Sequence, residues 1–184
     1  MKKLFFKKEY RNKYRNSRGF TLVETIFYLA FLVVLLGIVI SLIVSLSKTY
    51  QTIQATKNLE SSAVFSLERM TREIKNAVSV NVAQSLFAST TGSVLSLNTT
   101  DDAGNPKTVK FYISDSTRAL SVDANGTYVG PLTLSGVKVD ELDFRMLTSP
   151  NSQAIKIDLG LTSVVGGAST TKNFYSTIVL RGSY

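Results

Sequence analysis

Between Thr25 and Ser47 the chain carries no charged side chain, and the core of that stretch, Ile26 to Leu46, reads IFYLAFLVVLLGIVISLIVSL. Apart from a few Ser and Tyr residues the run offers no polar face, so a helix built from it cannot divide its surface between a core and water. At about 1.5 Å per residue, some twenty such residues span the ~30 Å hydrocarbon layer of a bilayer. The rival reading is a secretory signal peptide, whose apolar region is usually about 7–15 residues and ends at a small-residue cleavage site. This run is longer and lacks that ending. A membrane-spanning helix is the expectation.

Charge flanks the run on one side. Residues 1–19 hold Lys2, Lys3, Lys7, Lys8, Arg11, Lys13, Arg15 and Arg18 against Glu9 alone, whereas residues 20–184 balance 13 basic against 12 acidic residues. Basic flanks stay on the cytoplasmic side, so the N-terminus is expected inside and the C-terminal part outside the cytoplasmic membrane. The net charge of +8 therefore belongs to the head of the chain, and the remainder lacks the clustered basicity of a nucleic-acid footprint. Histidine and cysteine are absent. Their absence excludes disulfides, His-ligated zinc and Ser-His-Asp or Cys-His catalysis, while a Ser-Lys pair or a carboxylate pair remains open.

Between flank and span lies Ser17-Arg18-Gly19-Phe20-Thr21-Leu22-Val23-Glu24. This segment resembles the class III signal-peptide processing motif of type IV pilins and of the pseudopilins of type II secretion. The resemblance implies cleavage between Gly19 and Phe20 by a prepilin peptidase, which also methylates the new amine of Phe20. The cut removes the basic head and leaves the anchor in place. Glycine lets a protease approach the backbone closely. Glu24 stands apart, because a carboxylate at the edge of an apolar span costs up to about 3 kcal/mol and usually has a partner. The resemblance assigns that partner as the N-terminal amine of a neighbouring subunit, a contact that would set the axial register of a filament. The plain alternative is a side chain that snorkels to the inner interface. Many pilins also place a proline in the span. Here there is none between Met1 and Asn105, and Gly37 is the one helix-weakening residue of the run. That departure favours a minor subunit.

Beyond the span, Ala63, Leu67, Met70, Ile74 and Ala77 recur at steps of 4, 3, 4 and 3, one face of an amphipathic helix. Glu68, Arg69, Arg72, Glu73 and Lys75 occupy the opposite face, with Glu68–Arg72 a favourable i,i+4 pair. The helix is expected to run from Phe20 to about Val80 and to lay its stripe on a sheet, the alternative being a coiled-coil seam. Strand candidates follow at 94–98, 108–114, 119–122, 132–139, 142–147, 154–161 and 174–181. They are separated by turn chemistry at Asp101–Pro106, at Asp123-Ala124-Asn125-Gly126 and at Ser149-Pro150-Asn151. Ser85–Gly92 reads as a connecting loop. The expected fold is α+β: a long N-terminal helix, transmembrane then amphipathic, packed on an antiparallel sheet as in pilins. Its parts are a leader at 1–19, a span at 20–47, an amphipathic continuation at 48–82 and an outer β domain at 83–184. The segments Glu68–Ala77 and Val137–Phe144 are similar to the helix end and a late strand of larger minor pseudopilins, the J-type of type II secretion and the W-type of type IV pili.

The function implied is that of a structural filament subunit without enzymatic activity or cofactor. Its partners would be the prepilin peptidase, other pilin or pseudopilin subunits, the inner-membrane assembly platform and, before assembly, membrane lipid. Three other readings rest on particular residues. Asp101, Asp102 and Asn105 supply oxygens of the kind calcium takes, though such clusters are ordinary turn formers. Lys138, Asp140, Asp143 and Lys156 are the polar residues left for an anchored enzyme. Lys107, Lys110, Arg118, Arg145, Lys156 and Arg181 are those left for a DNA-binding subunit.

Overall fold

A computed structural model describes residues 19–89, 92–101, 103–149 and 152–180. The chain forms two compact units, Met1–Val44 and Ser45–Tyr184. One helix, α1, covers Leu22–Asn76. In the first unit α1 buries nothing: from Leu22 to Val44 every residue is exposed except the half-buried Glu24. Among the described residues none covers these apolar side chains, and α1 is long and apolar enough to cross a membrane.

In the second unit α1 becomes amphipathic. Ala55, Leu59, Ser62, Ala63, Ser66, Met70, Glu73 and Ile74 are buried, a stripe of helical period. Leu59, Ala63, Met70, Ile74 and Ala77 share one core cluster with residues of both β-sheets, and Leu67 packs against it. The stripe thus lies on sheet and not in a helical seam. Two of its polar members are satisfied by the chain they press on: the Ser66 hydroxyl donates to the Leu132 carbonyl at 3.2 Å, and Ser62 Oγ accepts from the Leu134 amide at 3.0 Å. On the outer face Arg72 pairs with Glu68 at 3.3 Å as its spacing implies. Glu73 departs from expectation. It turns into the packed side and accepts from Arg69 at 2.7 Å, a partner that its burial requires.

α1 ends at Asn76, short of the expected Val80. The Val78 amide donates to the Asn98 carbonyl at 2.8 Å, and Ser79–Val80 form strand β1. Val78, Ser79 and Val80 favour an extended ladder over another helical turn, because β-branched residues lose side-chain freedom in helices. A short 3₁₀ turn at Val82–Gln84 follows, after which Leu86 makes an isolated antiparallel bridge with Val94; Thr90 and Thr91 of the expected loop lie outside the described residues.

The expected sheet is two sheets. The first has five antiparallel strands in order β1, β2 (Leu95–Thr100), β3 (Pro106–Ile113), β4 (Leu120–Ala124) and β5 (Thr127–Pro131). The second has three: β6 (Val137–Ser149), β7 (Ser152–Val165) and β8 (Ala168–Val179). Strand β5 has no counterpart among the sequence candidates. The turn that creates it was legible: Asn125 and Gly126 both take positive φ, 51° and 76°, as a tight two-residue hairpin demands. Gly166 and Gly167, at 57° and 89°, do the same for β7 and β8.

The candidates at 132–139 and 142–147 are also corrected. Residues 132–136 form a turn, and β6 then runs unbroken from Val137 to Ser149. What looked like a gap is a β-bulge between Val139 and Glu141, since Val139 faces Leu161 while Glu141 faces Gly160. The extra residue keeps Val137, Val139, Leu142 and Phe144 all in the core, although the period of two breaks between 139 and 142.

Phe111 on β3 and Phe144 on β6 are fully buried in that common core. Phe111→Ala is therefore expected to cost about 3–5 kcal/mol of stability. Denaturant unfolding of the purified chain in detergent, followed by circular dichroism, measures it.

Candidate functional site

The predicted cleavage site straddles the edge of the described residues. Ser17, Arg18 and the rest of the leader lie outside them. Gly19 and Phe20 are described and precede α1 as exposed, non-helical chain, with Phe20 72% exposed. A side-chain carbon built on Gly19 would meet open space. The peptide bond between them is unobstructed by the described residues.

The helix start is built by Thr21. Its Oγ1 accepts from the Glu24 amide at 3.2 Å, and its carbonyl accepts the first helical bond, from the Thr25 amide, at 3.1 Å. Thr21-Leu22-Val23-Glu24 has the spacing of a capping box, in which an N-cap hydroxyl satisfies an orphan amide of the first turn. A carboxylate in that turn also faces the positive end of the helix dipole. The Glu24 side chain accepts from the Tyr28 hydroxyl, one turn on, at 3.1 Å. The Phe20 ring meets the Tyr28 ring edge-on, with centroids 6.0 Å apart and planes at 79°. Phe20, Glu24 and Tyr28 therefore share one face at i, i+4 and i+8. Reading the sequence for its cleavage motif singles out Gly19, Phe20 and Glu24 but passes over Thr21 and Tyr28. The capping spacing and the i+4 relation were the signals that could have found them.

The residues of the other readings are dispersed or engaged. Asp101 closes its own loop: Oδ1 accepts from the amides of Ala103 (3.0 Å) and Asn105 (2.7 Å), and Oδ2 from the Asn105 side chain (3.1 Å). Hydrogen bonds from Asn105, backbone then side chain, lower its pKa below the ordinary 3.8. Asp102 lies outside the described residues. Among the described residues no group of three or more carboxylates is placed to hold a metal ion.

Asp143, Asp158, Arg145 and Lys156 meet on the outer face of the three-stranded sheet. Arg145 bonds Asp143 at 2.7 Å and lies 3.7 Å from Asp158, which Lys156 reaches at 3.3 Å. Asp143 holds the Arg145 guanidinium above its usual pKa, and Ser93 donates to the same carboxylate at 3.3 Å. Asp140 accepts from Thr162 on the neighbouring strand. Asp143–Arg145 and Asp158–Lys156 are pairs along one strand and Arg145–Asp158 crosses between strands, so both of these largely buried carboxylates are tied up in ion pairs.

Of the cations of the DNA reading, Arg145 and Lys156 lie opposite one another on β6 and β7 but are already paired with carboxylates. Arg118 donates to the carbonyls of Val139 and Asp140. Arg181 lies outside the described residues. Lys110 lies over the Tyr112 ring at 5.5 Å, beside a shallow basin of about 720 Å³ lined by Gln84, Thr108, Asp123, Asn125 and Gly126. Tyr112 donates to Asp123 at 3.0 Å; burial, then that carboxylate, raises its pKa.

The Asp101 loop makes a signed prediction. Its carboxylate has a lowered pKa in the folded chain, so the stability it lends is complete above the unfolded value near 3.8. It is lost as pH falls through the folded value. Amide exchange measured down a pH series should show Ala103 and Asn105 losing protection in that acid window, and losing it at all pH values in Asp101→Ala.

No protein-family model, curated protein or solved structure matches this chain.

Proposed function

We propose that this chain is a structural subunit of a type IV pilus or a related filament machine, of the minor pilin or pseudopilin kind. A prepilin peptidase cuts it between Gly19 and Phe20 and methylates the Phe20 amine. The chain then leaves the cytoplasmic membrane for the filament through its N-terminal helix, passing by the inner-membrane assembly platform. Before the cut it sits with residues 1–19 inside and the β domain outside.

One observation carries the reading. An exposed Gly19–Phe20 bond adjoins a capped helix start, and Glu24 in its first turn is the one charged side chain between Phe20 and Ser47. That arrangement suits a cut that spares the anchor and a carboxylate that waits for a cation. The helix beyond it is exposed and uncharged, which suits side-by-side packing against identical rods. The same helix then packs on an α+β outer unit, the layout the reading calls for. On this reading the chain has no chemistry of its own and is a substrate of its processing enzyme.

The mature N-terminus, read by mass spectrometry from cells with an active prepilin peptidase, tests this. The expected species begins at Phe20 and is heavier by one methyl group; an intact chain retaining residues 1–19 refutes the proposal. Glu24→Gln should still be cut at Gly19. Its share in sheared filaments should fall at least about tenfold, the worth of one hydrogen bond to a charged group.

A further inference from the structure

An ionisable group in a membrane-spanning helix needs a partner at every stage, including the stage before any second copy arrives. Within the first unit the Glu24 carboxylate has one: the Tyr28 hydroxyl, at 3.1 Å. The choice of side chain is restricted. Thr21 Oγ1 meets the Glu24 amide and not its carboxylate, and the Thr25 hydroxyl donates to the Leu22 carbonyl at 2.8 Å. The next hydroxyls along the helix, Ser41 and Ser45, are more than four turns away. Tyr28 sits at i+4, where side chains of successive turns meet. The arrangement serves both groups, because a phenol in hydrocarbon without an acceptor is itself costly. Packing holds the ring, since the Phe20 ring meets it edge-on at 6.0 Å.

We propose that Tyr28 is the positioning residue for Glu24. Its hydroxyl partners the carboxylate inside lipid and aims it along the face shared with Phe20. A phenol is a neutral donor, so it satisfies one oxygen without cancelling the charge. The second carboxylate oxygen is left for a cation, which the filament reading supplies as the Phe20 amine of another copy. The inference rests on that reading for the identity of the cation, and on the geometry alone for the Tyr28 contact.

Tyr28→Phe removes the hydroxyl and keeps the ring, so the helix and its Phe20 contact survive. Two measurements test the proposal on the full chain. The first is the share of mature chain in sheared filaments for wild type, Tyr28→Phe, Glu24→Gln and the double variant. Tyr28→Phe should lower that share about two- to tenfold, the worth of one ordinary hydrogen bond. It should leave the cut at Gly19 unchanged and have no further effect in the Glu24→Gln chain. The second is the infrared carboxyl band of Glu24 in phosphatidylethanolamine/phosphatidylglycerol vesicles, isolated as the difference between wild type and Glu24→Gln. That band should shift in Tyr28→Phe.

An unshifted band overturns the proposal. So does an equal loss from Tyr28→Phe in both backgrounds, which would make the tyrosine a packing residue independent of Glu24. A wild-type chain that keeps residues 1–19 overturns the filament reading instead, and the band in vesicles still decides whether the contact exists.

Discussion

The structure depends on a change of solvent along a single helix. From Leu22 to Val44 α1 has no polar side on which to meet water, and from Ala55 to Ile74 it has one apolar stripe and one charged face. The first pattern is stable only in an apolar surrounding and the second only on a core. Each half is therefore assigned its environment by side-chain distribution alone. The β-structure follows from the second half: a stripe of small and medium side chains needs a broad apolar surface, and the inner faces of both sheets supply it.

Much of this was legible because helical and strand periods are strong signals. The steps from Ala63 to Ala77 predict the buried face, and Leu67, Met70, Ile74 and Ala77 lie where they predict. The alternations around Val109–Phe111 and Ile155–Leu161 became strands β3 and β7. What the period could not see were places where a local rule yields to tertiary contact. Glu73 reads as a surface residue until the sheets cover its side of the helix, with Arg69 one turn before it as its partner. Val78 to Val80 read as a fraying helix end until Asn98 and Leu97 offer them a ladder. Strand β5, Thr127-Tyr128-Val129-Gly130-Pro131, lacks alternation because much of it is exposed, and it exists through its hairpin with β4. The division into two sheets depends on pairing partners, which no single strand encodes.

At the helix start the sequence revealed the unusual residues and not their support. Gly19, Phe20 and Glu24 stand out because each is odd for its place: a bare backbone, a bulky residue after it, a charge in an apolar run. Thr21 and Tyr28 are unremarkable in composition and matter through spacing, three before and four after Glu24. Side chains that hold others in position are often of this kind, ordinary by type and informative only by distance.

The bulge in β6 has a consequence for how the second sheet tolerates change. Its strand is written in two phases that meet at Asp140: Val137 and Val139 point inward on one, Leu142 and Phe144 on the other. A single-residue deletion at the junction would remove the extra residue and join the two phases into one regular alternation, whereas a deletion on either side of it would put part of the strand out of phase with the core. In the displaced part inward and outward residues would exchange places, turning apolar side chains to water and polar ones to the core. The bulge thus marks a place in this strand where the loss of one residue leaves the inward face intact, while the flanking segments tolerate no such loss without changing face.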